Sequence, residues 1–165
     1  MKKSALYIQK NLIIFEKYIL ITLLSVMVFF SFSQFFLRFF LNSGILWMDT
    51  FLRYTVLNTA MFSSAYVSAK SGHFALEFFS KKLPPSLAKT AGILSNTFAF
   101  LACCSLFISS ASFVRQEYLA GAEAFSAFSI SIKSFYFQIC LPIGFLFSSF
   151  HFLINIFLPK NEESN

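Results

Sequence analysis

The chain alternates long apolar runs with short polar punctuation. From Tyr18 to Leu37 no charge interrupts a run of Leu, Ile, Val and Phe, and Arg38 ends it just before the turn residues Asn42, Ser43 and Gly44. A second run, Met48 to Ala69, carries Asn58, Thr59, Ser63, Ser64 and Ser68, small or polar residues that let helices approach closely. Lys70-Ser71-Gly72-His73, Lys81-Lys82 and Pro84-Pro85 follow, and the prolines mark a loop. A third run spans Ala91 to Val114. After it comes a polar connector with Arg115, Glu117, Gly121 and Glu123 and a serine-rich tail to Lys133-Ser134. The last run, Phe135 to Leu158, has Pro142 and Gly144 near its start, and Pro159 leads into a short polar tail. Each run reaches the ~20 residues that a helix needs to cross ~30 Å of hydrocarbon. The pattern predicts an all-α integral membrane protein, one domain over 1–165, with four transmembrane helices at about 18–37, 48–69, 91–114 and 135–158.

Ahead of the first run, residues 4–17 alternate at helical spacing. Ala5, Ile8, Leu12 and Phe15 share one face, and Lys3, Lys10 and Lys17 lie on another. That suits an N-terminal amphipathic helix lying in the membrane surface among anionic head groups, and equally a plain extension of the first span. The opening Met-Lys-Lys resembles a signal peptide. The apolar run is too long for one and no small-residue cleavage site follows, so the segment is expected to stay.

Composition agrees with lipid as the main solvent: 57% of the residues are hydrophobic, 12% are charged, and 26 are phenylalanine. The net charge of +6 comes from basic residues scattered at run ends rather than gathered on one polar face, which argues against nucleic acid as a partner. Those residues report orientation instead. With the N-terminus inside, the inner side holds Lys2, Lys3, Lys10, Lys17, Lys70, Lys81, Lys82, Lys89 and Lys160, and the outer side only Arg38, Arg53, Arg115 and Lys133. Both termini are therefore expected in the cytoplasm.

Little in the chain suggests chemistry of its own. Cys103, Cys104 and Cys140 lack a C-x-x-C spacing and read as small membrane-buried hydrophobes. His73 in a loop and His151 in the fourth run look too isolated to ligate a metal, and every Asp, Glu, Lys and Arg maps to a run end or a connector. Ion-coupled carriers usually keep an ionisable group deep in the bilayer. With no phosphate-binding glycine loop and no nucleophile–base pairing, the reading is a helper subunit with no cofactor, not an enzyme.

One stretch concentrates polar and aromatic residues at both ends of a membrane-length segment. Arg38 and Asn42 precede Trp47, Asp49 and Arg53, and the run ends on His73-Phe74-Ala75-Leu76-Glu77. Trp47 suits an interface anchor. Asp49 and Arg53, spaced i and i+4, can pair on one helix face, and Arg38 can reach the same carboxylate from the preceding helix. The acid also suits the positive end of the helix dipole.

This arrangement, with Leu141-Pro142-Ile143-Gly144 in the last run, resembles the small membrane subunit of TRAP (tripartite ATP-independent periplasmic) transporters, the DctQ type. The likeness covers essentially the whole chain. Thr50 stands where that family has a second acid, Asp49 where glutamate is commoner, and Ser63 where a glycine is usual. The aromatic before the fourth span is displaced to Phe135 or Tyr136. The resemblance implies a non-catalytic scaffold in the bacterial inner membrane. Its partners would be membrane lipids, a large multi-span permease that holds the substrate and any sodium, and a periplasmic substrate-binding protein delivering an organic acid anion for symport. It assigns subunit-contact or structural roles to Arg38, Asn42, Trp47, Asp49, Arg53, His73, Glu77 and Pro142. The competing readings are a self-sufficient four-span exporter working as a homodimer, a membrane redox enzyme and a generic membrane assembly protein. The first would want a mid-span glutamate and the second paired loop cysteines.

Overall fold

The computed structural model describes residues 2–70, 85–127 and 130–157. His73 and Glu77 lie outside the described residues. The first helix, α1, runs unbroken over Lys2–Leu41. At about 1.5 Å per residue its 40 residues reach about 60 Å, twice a hydrocarbon core. Residues 4–17 run into the first span without a break in the helix. Asn42, with φ of 46°, takes the left-handed conformation that ends a helix, a position that asparagine tolerates better than most residues.

Helix α2 spans Leu46–Lys70 and α3 spans Pro85–Ala120. Pro85 opens α3, where its missing N–H would have had no partner anyway. A short helix, α4 (Phe135–Gln138), precedes α5 (Cys140–Phe157), so the last run is interrupted at Ile139. Pro142 explains the interruption: it cannot donate to the carbonyl of Gln138, four residues back, and its ring crowds that carbonyl. The bonds on either side survive, from Ile139 N to Phe135 O (3.1 Å) and from Ile143 N to Ile139 O (3.4 Å).

The purely helical expectation needs correction between α3 and α4. Strands β1 (Glu123–Ala127) and β2 (Ile130–Lys133) form an antiparallel hairpin, with Glu123 opposite Lys133 and Phe125 opposite Ile132. Phe125 and Ile132 are half-buried and Ser126 and Ser131 exposed, the period-two alternation of a strand with one covered face. Ser126 and Ser131 are the solvent side of that ribbon, whereas Ser134, just beyond it, is buried.

The helices stand side by side in the order α1, α2, α5, α3, with α1 packing mainly on α2 and α3 mainly on α5. Among the described residues three stretches are long and apolar enough to cross a membrane: Tyr7–Leu41, Thr90–Ala120 and Phe135–Phe157. Helix α2, with 25 residues, has the length but not the apolarity. Its place between two neighbours accounts for the difference. Thr55, Ala65 and Ser68 are buried there, so its polar groups meet protein. Gly144 marks a close approach between α2 and α5: a Cβ there would lie 3.0 Å from Met61 Cβ and 3.1 Å from Met61 Cε.

Candidate functional site

Polar contacts gather at the two ends of this row. One end, the hairpin end, carries the α1–α2 turn and the β-ribbon; the far end carries the start of α1 and the ends of α2 and α5.

At the hairpin end Gln34 is the hub. Its Nε2 donates to Ile45 O and to Asp49 Oδ1, both at 3.2 Å, and its Oε1 accepts from Ile45 N at 3.4 Å. One side-chain amide thus satisfies both backbone groups of the residue that leads into α2, which matters because the first N–H groups and the preceding turn lack helical partners. Gly44 makes room for it: a Cβ there would come within 3.0 Å of Arg38 Nε and 3.4 Å of Gln34 Nε2. Arg38 Nη2 donates to Asp49 Oδ2. The two side chains are 57% and 40% exposed, so solvent screens the pair. Among the described residues no ion pair joins Asp49 to Arg53. The carboxylate faces α1, where Gln34 and Arg38 hold it, and Arg53 is exposed one turn further along α2. The i, i+4 spacing is therefore not used. Gln34, buried at 5% exposure, is the residue that sequence reasoning missed. Its signal is a lone amide inside an otherwise apolar run.

An aromatic layer fastens the β-ribbon to the same end. The rings of Trp47 and Phe125 are stacked at 6.1 Å, Phe125 lies 5.8 Å from Phe137, and Phe137 stacks on Tyr54 at 4.9 Å. Tyr54 Oη donates to Ser134 Oγ at 3.3 Å. Trp47 is thus half-buried against protein rather than free at an interface. Ahead of α5 both Phe137 and Phe135 pack, Phe135 edge-on against Tyr118 at 5.1 Å, and Tyr136 is 63% exposed. Below it, Gln138 Nε2 donates to Glu117 Oε2 at 3.4 Å, tying α4 to α3. Pro142 joins no polar cluster; it shapes the α4–α5 junction.

At the far end the structure brings together two residues that looked unconnected. Glu16 on α1 and His151 on α5 are both 0% exposed, with 3.1 Å between Glu16 Oε1 and His151 Nε2. Glu16 Oε2 and His151 Nδ1 have no hydrogen-bond partner. One turn along, Asn155 Nδ2 donates to Ser68 O at 3.2 Å, joining α5 to α2. The histidine is therefore not isolated, and the acid is not an exposed surface group. Ile8 and Phe15, on the apolar face, are each 54% exposed, open to lipid, whereas Gln9 and Glu16 point inward. In lipid the apolar side of a helix faces out and polar groups seek protein. A seven-residue recurrence of inward positions, Gln9, Glu16, Leu23, Phe30 and Leu37, carries that signal in the sequence.

These arrangements can hold helices in register. Among the described residues no three His, Cys, Asp or Glu side chains lie close enough to hold a metal ion. An open groove of about 460 Å³ runs along α1 beside Gln34 and Arg38, lined otherwise by Ser31, Phe35, Phe39 and Leu52.

The family model for tripartite ATP-independent periplasmic transporters, DctQ component, matches residues 27–159. The chain belongs to this family. It is the small membrane component of a TRAP transporter, and with its apolar helices it is a multi-pass membrane protein. No curated protein matches the chain. The matched region takes in the whole hairpin-end cluster and His151 but begins after Glu16, so one half of the buried pair lies outside it.

Proposed function

We propose that this DctQ component is the non-catalytic scaffold of a TRAP-type secondary transporter in the bacterial inner membrane. It pairs with a large permease that carries the substrate site and the coupling cation, and a periplasmic binding protein delivers an organic acid anion. The family match over residues 27–159 carries this reading. The structure supports a scaffold in two ways. Gln34 with Asp49, Gln138 with Glu117, Glu16 with His151 and Asn155 with Ser68 join helices, and both edge helices keep broad apolar faces, among them Phe29, Phe32 and Phe36 on α1 and Leu94, Phe98 and Leu101 on α3. Faces of that kind suit lipid and a second membrane protein alike. We further infer that α2 is the fourth span, its polar residues sheltered by α1 and α5, and that both termini are cytoplasmic because nine of the thirteen Lys and Arg fall on that side. The hairpin end, with Arg38, Asn42, Trp47, Asp49 and Arg53, then faces the periplasm.

Purification of the tagged chain from its native membranes in mild detergent tests the reading. A large multi-span permease recovered in about equal amount is the expected result. A clean homodimer that transports a solute by itself after reconstitution would replace the scaffold with the exporter.

A further inference from the structure

Four of the residues lining the open groove on α1, Ser31, Phe35, Arg38 and Phe39, recur at i, i+4, i+7 and i+8 and so share one face of the helix. The rings of Phe35 and Phe39 stack 5.9 Å apart, and Leu52 reaches the groove from α2. Ser31 leaves space, because its small side chain stands among the exposed phenylalanines Phe32, Phe35 and Phe36. Gln34 does not fill that space, since its hydrogen bonds turn it toward Ile45 and Asp49. From Ser31 to Phe39 the groove follows α1 for about 12 Å at about 1.5 Å per residue, close to one leaflet of a hydrocarbon core about 30 Å thick. Its volume of about 460 Å³ falls among those of sites that hold small ligands.

The groove changes character along its length. Arg38 stands at its hairpin end, in the last turn of α1 and 57% exposed, and the opposite end is bounded by Ser31 and phenylalanine. A guanidinium carries five N–H donors, and Asp49 takes one of them, from Nη2. Both Asp49 oxygens are already held, Oδ1 by Gln34 and Oδ2 by Arg38. Arg53 is exposed one turn along α2 and has no ion pair among the described residues. Two guanidiniums against one carboxylate leave this end with a net positive charge. A cation above an apolar channel of leaflet depth complements a phosphate carried on an acyl chain. A partner helix fits less well. With its side chains it is about 10–12 Å across, and its ridges would run on past the depth of one leaflet.

We propose that this groove seats one phospholipid of net negative charge, drawn from the leaflet at the hairpin end. The phosphate sits on the free donors of Arg38, and one acyl chain lies along Phe35, Phe39 and Leu52 as far as Ser31. The bound lipid fills the open face between α1 and α2 beside the Gln34 hub. The site rests on the chain being a membrane protein and not on which permease it meets.

Photocrosslinking on the full chain reads the site. Nanodiscs of zwitterionic phosphatidylethanolamine carry a minor fraction of phosphatidylglycerol with a photoactivatable group on its acyl chain, and labelled peptides are mapped after irradiation. Labelling is expected to concentrate on residues 31–39 and Leu52, above the equally exposed face of Leu94, Phe98 and Leu101 on α3. Ser31→Trp fills the groove on a face already rich in aromatic rings, and labelling of Phe35 and Leu52 should fall to the level of α3. Arg38→Gln should leave the groove open but lower the preference for this probe over a phosphatidylethanolamine probe with the same chains by about tenfold, the share of a hydrogen bond to a charged group. Even labelling of α1 and α3, or labelling that survives Ser31→Trp, overturns the site. A preference unchanged in Arg38→Gln overturns the phosphate contact and with it the proposal. The same mapping on the chain co-purified with its membrane partner distinguishes the remaining occupant: labelling lost there assigns the groove to a protein neighbour and overturns the lipid.

Discussion

The two ends of the molecule use similar side chains under opposite conditions. At the hairpin end Arg38 and Asp49 form a salt bridge in the open, 57% and 40% exposed, beside a buried neutral amide. At the far end Glu16 and His151 meet fully enclosed with one contact and two unpartnered atoms. The exposed pair gains little because water already solvates its charges and salt screens them. The buried pair is a stronger constraint than its single contact suggests, since losing either partner strands the other where nothing solvates it. The number of contacts therefore misranks the two ends, and burial ranks them.

The largest expected effect is at the far end. In His151→Leu the Glu16 carboxyl must either remain charged without a partner or take up a proton. Removing one partner of a buried pair costs about 3–5 kcal/mol. Thermal unfolding in nanodiscs should show that loss, and Glu16→Leu/His151→Leu should recover most of it by removing both polar groups. A double variant as unstable as the single one would mean that the position needs the imidazole's shape rather than its charge.

What the sequence disclosed follows the same division. Arg38 and Asp49 lie on either side of one short turn, so their pairing was legible from the sequence. The choice between Arg38 and Arg53 was not. The i, i+4 spacing offers Arg53 to Asp49, but Gln34 draws the carboxylate toward α1 and Arg38. Glu16 and His151 were illegible because the far end forms only when α1 and α5, 135 positions apart at these residues, come together. The β-ribbon escaped notice for a local reason: its strands have five and four residues, too few for alternation to stand out among serines. The helices themselves were plain from apolar run length. The extra turns of α1 and α3 beyond the spans were not, because polar residues at a membrane boundary continue a helix as readily as end it.

A second, smaller effect tests whether the far end depends on packing elsewhere along α5. Gly144 lies two turns before His151 on the same buried stripe, with Met61 against it. In Gly144→Val the new side chain meets Met61 Cβ from a starting distance of 3.0 Å and must push α2 from α5. Overpacking of this kind costs about 1–3 kcal/mol. The melting temperature should fall, and Met61→Ala in the same chain should restore part of it. If Gly144→Val melts like the wild type, the seam is looser than its distances imply, and the pair alone sets the position of α5.

The smallest effect separates the two components of the hairpin end. Arg38→Gln removes a screened, exposed pair and should change stability by less than about 1 kcal/mol, with even less change at high salt. Gln34→Leu leaves the backbone groups of Ile45 without their side-chain partner in a site where Gln34 itself is 5% exposed. A hydrogen bond lost at a buried position costs about 1–3 kcal/mol, so the neutral amide should outweigh the charged arginine two to one or more. Parallel melts of the two variants at low and high salt decide it. An Arg38→Gln loss equal to that of Gln34→Leu, and shrinking with salt, would mean that the carboxylate is held by charge after all. The hairpin end would then resemble the far end in kind and differ from it only in exposure.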